Sequence, residues 1–224
     1  MREIRLVETS PLKTARRALR RVVAGLKSYG PSGIKRLLWD AEFSGDKWDF
    51  IDNTDGDCVY PHIERHARNG SILDLGCGPG NTANELAATA YQTYIGVDIS
   101  GEALRKAKRR TENNGRAAKN HFVRADFLAY TPTQKFDVIL FRESLYHVPP
   151  GKIGATLDRY SQYLNGGGSF IVRMFVADRR TGEDKRRPMA MLNIIERQFN
   201  VVEKCRYDGI MGPTVVVFRP QRRC

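Results

Sequence analysis

The sequence predicts an α/β fold: one mostly parallel sheet covered by helices on both faces, finished by an antiparallel pair of strands. Three observations predict it. From about residue 56 onward, short apolar runs of strand type alternate with stretches of helical periodicity. The first such run, Ser71 to Leu75, passes straight into a turn with glycine at every second position, Gly76-Cys77-Gly78-Pro79-Gly80. The last two runs, Val201 to Arg206 and Thr214 to Phe218, leave no room for a helix between them, so they must pair antiparallel.

The elements follow in order. From Leu12 to Leu26 the apolar residues Leu12, Ala15, Leu19, Val22, Val23 and Leu26 recur at helical spacing, with Lys13, Arg16, Arg17, Arg20 and Arg21 on the other side. Docking of that apolar face within the protein is the expectation, with another subunit or an anionic membrane surface as the alternatives. Gly30-Pro31-Ser32-Gly33 breaks the chain, and an apolar piece from Ile34 to Trp39 leads into Trp48-Asp49-Phe50. Residues 1–55 therefore read as a basic helical extension, and 56–224 as one α/β domain. Within the domain a helix spans about Val59 to Ala67, and His62 and His66 place it on the surface. The strand Ser71 to Leu75 comes next, and Thr82-Ala83-Asn84-Glu85 has capping-box spacing for the following helix. The second strand, Tyr94-Ile95-Gly96-Val97-Asp98, precedes a basic helix from Glu102 to Asn113. Phe122 to Ala125 and Phe136 to Phe141 are the third and fourth strands, and Ile153 to Leu164 is a helix. Gly166-Gly167-Gly168 turns the chain into a fifth strand, Ser169 to Val176. A helix from Met189 to Phe199 precedes the final pair.

Composition narrows the function classes. With 224 residues, 41% hydrophobic and 28% charged, the chain has enough material for one domain with a full core. No run approaches the ~18 apolar residues of a membrane span, and the first residues lack a signal-peptide core. Cys58, Cys77, Cys205 and Cys224 are far apart and form no C-x-x-C pair, so neither zinc nor a disulfide framework is indicated, and a reduced, cytoplasmic setting is expected. His62 and His66 lie four apart, but no third ligand is visible and Glu64 does not match H-E-x-x-H, so no metal site is expected. The net charge is +12, of which residues 1–40 contribute +7. That imbalance suits either a nucleic acid, an anionic lipid or a well-solvated surface.

The glycine turn carries the chemistry. Glycines allow close approach of backbone to a ligand, and the helix that follows presents free N–H groups. Asp98 ends the next strand, where such folds place an acid for ribose hydroxyls. A dinucleotide fingerprint requires glycine or alanine at its sixth position, and Asn81 stands there instead. Asp74, just before the glycines, would repel a pyrophosphate and suits a cationic ligand. In Asp74-Leu75-Gly76-Cys77-Gly78-Pro79-Gly80 the chain resembles the class I S-adenosylmethionine (SAM)-dependent methyltransferases, over roughly Gly56 to Pro220.

The resemblance implies a Rossmann-like seven-stranded sheet, SAM as cofactor and methyl transfer as the activity. It implies that Asp74, Gly76, Cys77, Gly78, Gly80 and Asn81 line the methionine end of the cofactor, and that Asp98 accepts the ribose hydroxyls. Ile99 would pack on the adenine, Asp126 would accept its amino group, and Phe127 would pack on the ring or donate its N–H. Arg142, directly after the fourth strand, would touch the cofactor through its backbone. His147 matches the position of a histidine near the transferred methyl group and is the candidate base, with Glu143 and Tyr146 behind it. Residues near Asp46 to Asp55 would form a lid. Arg142-Glu143-Ser144-Leu145 stands where base-methylating enzymes carry Asn/Asp-Pro-Pro-Tyr/Phe. The expectation is therefore transfer to oxygen or nitrogen of a small molecule, with nucleic acid an unlikely partner. An RNA methyltransferase using the basic N-terminal segment and a non-catalytic SAM-binding scaffold are the alternatives.

Overall fold

The computed structural model describes residues 11–45, 54–175, 186–207 and 212–221. A seven-stranded sheet has the order β3-β2-β1-β4-β5-β7-β6. Its strands are β1 (Gly70–Leu75), β2 (Tyr91–Asp98), β3 (Asn120–Arg124), β4 (Phe136–Arg142), β5 (Leu164–Phe175), β6 (Phe199–Arg206) and β7 (Pro213–Pro220). β1 to β5 run parallel, while β7 pairs antiparallel with both β5 and β6. The order reverses between β1 and β4, which opens a crevice at their carboxyl ends.

Two apolar clusters cover the two faces. In β4, Val138 and Leu140 enter one cluster, and Ile139 and Phe141 the other, the two-residue alternation of a strand buried on both sides. The helices α6 (Ile153–Ser161) and α7 (Arg186–Gln198) supply Leu157, Tyr160, Met191 and Ile195 to one face. The other receives Tyr60, Ile63 and Ala67 from α3 (Tyr60–Ala67) and Ala83 from α4 (Asn81–Glu85). α5 (Gly101–Asn113) packs on β2 and β3 beside α4. Its start is capped by Ser100, whose side chain accepts from the Ala103 N–H at 3.1 Å.

Four expectations are corrected. The Thr82–Glu85 capping box does not form. The helix begins two residues earlier, at Asn81, behind a left-handed Gly80 with no side-chain cap. Glu85 instead accepts from the Thr54 N–H at 3.0 Å, the Tyr60 hydroxyl at 2.8 Å and Arg110 at 2.7 Å, so tertiary partners outcompete the local cap. The Ile34–Trp39 piece is part of a full helix, α2 (Ser32–Ser44), packed against α1 (Pro11–Tyr29) and α5. Among the described residues the apolar face of α1 stays largely uncovered, with Leu19 and Val22 63% and 58% exposed, against the expected docking within the protein. Finally, α3 does not keep its histidines on the surface.

His62 is buried, with Nδ1 2.7 Å from Glu203 and Nε2 2.7 Å from the Tyr207 hydroxyl, and His66 Nε2 lies 2.9 Å from the same carboxylate. Arg65 adds a bond at 3.0 Å. One carboxylate on β6 thus pins α3 to the antiparallel edge, and no metal-binding group of His, Cys, Asp or Glu occurs among the described residues. Partial burial works to raise the Glu203 carboxyl, but the bonds from His66, His62 and Arg65 outweigh it and bring it to about 2. A carboxyl lowered on folding adds stability above its unfolded pKa, and that stability is lost as the pH falls through the folded value. Glu203→Gln is therefore expected to melt a few degrees below the parent at neutral pH, with the deficit shrinking as the pH falls from about 4.5 toward about 2. Thermal melts across that range check it, and a deficit independent of pH would contradict it.

Candidate functional site

A cavity of about 510 Å3 opens at the carboxyl ends of β1, β2 and β4. Its floor is the turn after β1. Gly76, Gly78 and Gly80 have φ of 83°, 54° and 76°, a left-handed region that side chains disfavour. The Gly76 and Cys77 N–H groups donate to the Val97 carbonyl at 2.7 and 3.1 Å, and the Gly78 N–H donates to Asp98 Oδ2 at 2.9 Å. These bonds fold the turn across the end of β2. Gly76 also lies under the loop after β4, where a Cβ would stand 2.5 Å from the Ser144 Cβ.

Of the sequence-predicted residues, Asp74, Gly76, Cys77, Gly78, Asn81, Asp98, Ile99, Asp126, Phe127, Arg142 and His147 all line this cavity. Gly80 is not among its lining residues. A Cβ there would lie 2.7 Å from the Ala107 Cβ, so this glycine allows α4 to pack closely on α5.

The carboxylates differ in state. Asp98 accepts from the Gly78 and Ser100 N–H groups at 2.9 and 2.8 Å, and burial pushes it up to about 6 despite them. Burial likewise raises Asp74 to about 6, against the pull of the Tyr94 hydroxyl, which donates to Oδ2 at 2.7 Å. Asp74 Oδ1 is buried without a hydrogen bond of normal geometry, while the Thr82 side chain lies near enough to the carboxyl to lower it in part. Asp126 is held by the Lys35 ammonium, by the Ser32 hydroxyl at 3.0 Å and by the Leu128 N–H at 3.0 Å. Burial would raise it, but these bonds keep it below the usual carboxylate range. The Asn81 amide is shared between Thr54 at 3.1 Å and Arg110 at 3.0 Å. Burial drives the Cys77 thiol far up, so it is no nucleophile.

The loop after β4 forms one wall. Arg142 donates to Asp57 at 2.6 Å, and Arg173 of β5 bonds Glu143 at 2.5 Å and lies 3.4 Å from Asp57. Burial opposes ionisation of Asp57, and the two guanidiniums override it, holding its pKa low. Glu143 has φ 55°, a strained conformation for a side-chain-bearing residue, and accepts from the Tyr146 hydroxyl at 3.0 Å. Burial raises its pKa in spite of Arg173. His147 ends a short 3-10 turn (Leu145–His147), with its ring centroid 5.0 Å from Trp39 and 4.7 Å from Tyr146.

Trp39 belongs to the part that sequence reasoning missed. Lys35, Trp39 and Phe43 of α2 line the cavity, together with Lys27 of α1, which sits 4.1 Å over the Trp39 ring and pairs with Glu42. The expected lid at Asp46 to Asp55 falls mostly outside the described residues; of it, Thr54 lines the cavity. The available signal was spacing: Lys35, Trp39 and Phe43 recur every four residues, one face of a helix. On the other side of α2, Asp40 accepts from the Ser100 hydroxyl at 2.8 Å and from Arg124 at 2.7 Å, fixing the helix to the ends of β2 and β3.

The sheet order and the glycine turn define a Rossmann-like methyltransferase fold. The fold matches that of the N-methyltransferase NodS from Bradyrhizobium japonicum in complex with S-adenosyl-L-homocysteine, with a TM-score of 0.66 and 19% identity over 84% of this chain and 98% of that one. The magnesium protoporphyrin IX methyltransferase of Synechocystis matches with a TM-score of 0.63 at 14% identity, covering 84% and 99%. Residues 72–168 match the family model described as a methyltransferase domain. A probable thiol methyltransferase of Arabidopsis thaliana is 27% identical over 79% of this chain and 76% of its own length. A ubiquinone biosynthesis O-methyltransferase of Thiobacillus denitrificans is 34% identical, but over 39% of this chain, which spans only 38% of that protein. In sequence and in fold the chain is similar to SAM-dependent methyltransferases, and SAM is the cofactor that family uses.

The turn geometry generates a prediction independent of any ligand. Gly76→Ala combines a φ of 83° with a 2.5 Å clash and is expected to cost about 1–3 kcal/mol of stability. Gly151→Ala, where a Cβ meets nothing within 4 Å, serves as the control and is expected to change little. Equal denaturation midpoints for the two variants would contradict the turn as described.

Proposed function

We propose that this chain transfers the methyl group of SAM to an oxygen or nitrogen of a small molecule held under α2. The observation that carries the reading is the single cavity joining the glycine turn and Asp98 to His147, Trp39 and Tyr146. A pocket roofed by an aromatic helix fits a small acceptor better than a polynucleotide, which favours this reading over an RNA substrate. Relatives named as a thiol methyltransferase and an O-methyltransferase support a small-molecule acceptor without selecting the atom methylated.

The residues present fit the cofactor. Asp74 offers a buried carboxylate, one oxygen of which lacks a well-formed hydrogen bond, beside a glycine cradle, suited to a positively charged group. Asp98 accepts from backbone N–H groups through both oxygens and would keep acceptor capacity for the ribose hydroxyls. Gly76 and Gly78 would let backbone lie against the ligand, and Ile99 and Phe127, which line the same cavity, would flank the adenine. Asp126 retains acceptor capacity on Oδ1 for the adenine amino group, beside its Lys35 pair. Arg142 would meet the cofactor through its backbone, its side chain being held by Asp57.

SAM, when bound, supplies a methyl group already activated by a sulfonium. The protein has only to align the acceptor, exclude water and accept at most one proton. α2 provides the cover. His147, held between Trp39 and Tyr146, accepts the proton of the acceptor hydroxyl or ammonium. Glu143, through the Tyr146 hydroxyl, positions that ring against the imidazole.

Asp98→Ala is expected to weaken SAM binding by several-fold to about a hundredfold in calorimetry, and unchanged affinity would remove the ribose assignment. Since SAM binds the ionised form, affinity in the parent should fall as the pH drops below about 6, the free-protein value of Asp98. His147→Ala is expected to lower turnover by about two to four orders of magnitude with SAM affinity nearly intact. Parallel loss of both would make the histidine structural and pass the role to Glu143 or Tyr146.

A further inference from the structure

Among the described residues, six of the eight exposed large apolar side chains lie on the N-terminal helix pair: Leu19, Val22, Leu26 and Tyr29 on α1, Ile34 and Leu37 on α2. On α1 they follow the spacing 19, 22, 26, 29, so they share one face of the helix. That face points away from the contact with α2, where Lys27 sits over Trp39 and pairs with Glu42, and among the described side chains none of α1 enters either core cluster. The usual arrangement is inverted: the apolar stripe meets water. On α2, Ile34 and Leu37 are also exposed, by 40% and 71%.

Charge selects the occupant. α1 contains six Lys or Arg and no acidic residue in its 19 positions, and Arg20 and Arg21 are exposed directly beside Leu19 and Val22. Two copies meeting through this face would bring their arginines together without a carboxylate from α1 to neutralise them. A phosphate backbone alone would leave the leucines in water. A bilayer surface with anionic headgroups satisfies both, taking the apolar stripe between its acyl chains and the arginines among its phosphates.

We propose that the α1–α2 pair is a peripheral docking surface for anionic membranes. No helix among the described residues is long and apolar enough to cross a membrane, so the contact lies in the interfacial plane. The same two helices line the cavity through Lys27, Lys35, Trp39 and Phe43, so the docked element is also the cover of the site.

The test is flotation of the full chain with phosphatidylcholine vesicles, with and without phosphatidylglycerol. The parent is expected to float with the anionic vesicles, to stay at the bottom with phosphatidylcholine alone, and to be released by salt. The double variant Leu19→Gln/Val22→Gln, altered only at exposed positions, should bind at least about tenfold more weakly, and Arg20→Glu/Arg21→Glu should not float. Light scattering and circular dichroism on each variant establish that it remains folded. A parent that never floats overturns the proposal, as does a Leu19/Val22 variant that floats like the parent. A stable dimer that this variant dissociates would assign the face to a second copy instead.

Discussion

The site depends on one constraint: the chain leaving β1 must turn back across the end of β2 within a few residues. Three backbone N–H groups accomplish this, two on the Val97 carbonyl and one on the Asp98 carboxylate. The bonds require left-handed backbone at Gly76 and Gly78, and they leave no space for a Cβ at Gly76 under Ser144. Asp98 is thereby part of the scaffold and part of the cavity wall at once. The opening at the sheet's switch point exists because the turn lies flat there.

Electrostatics builds on that geometry. Asp74 and Asp98 sit buried at the ends of adjacent strands with raised pKa values, an arrangement costly for an empty protein and favourable once a cation arrives. The opposite wall is neutralised internally, with Arg142 and Arg173 against Asp57 and Glu143. The strained φ of Glu143 is retained where that network meets the loop bearing His147. Above both walls, the Lys35–Asp126 pair and the Asp40 bonds tie the N-terminal helices to the catalytic domain.

Much of this was legible from the sequence, for identifiable reasons. The strands of the sheet are short apolar runs closed by acids or glycines, so Asp74 and Asp98 could be placed at strand ends. The terminal antiparallel pair followed from loop length alone. What escaped was tertiary. Thr82 to Glu85 looks like a local cap, yet Glu85 is recruited by Thr54, Tyr60 and Arg110 from three other segments. His62 and His66 looked exposed because their partner, Glu203, lies on a distant strand. Gly80 read as a ligand glycine, although its neighbour is Ala107. The apolar face of α1 pointed to a docked helix, and pattern alone does not say which side faces the protein.

The central claim is that the turn after β1 and the acid ending β2 form the seat of a SAM nucleoside, with the acceptor space under α2. The most direct measurement is a crystal structure of the full chain with S-adenosyl-L-homocysteine. The account predicts both ribose hydroxyls on Asp98, the homocysteine end over Gly76 to Gly78 near Asp74, and the sulfur directed toward the space between His147 and Trp39. A nucleoside bound elsewhere, or one whose ribose avoids Asp98, would contradict it.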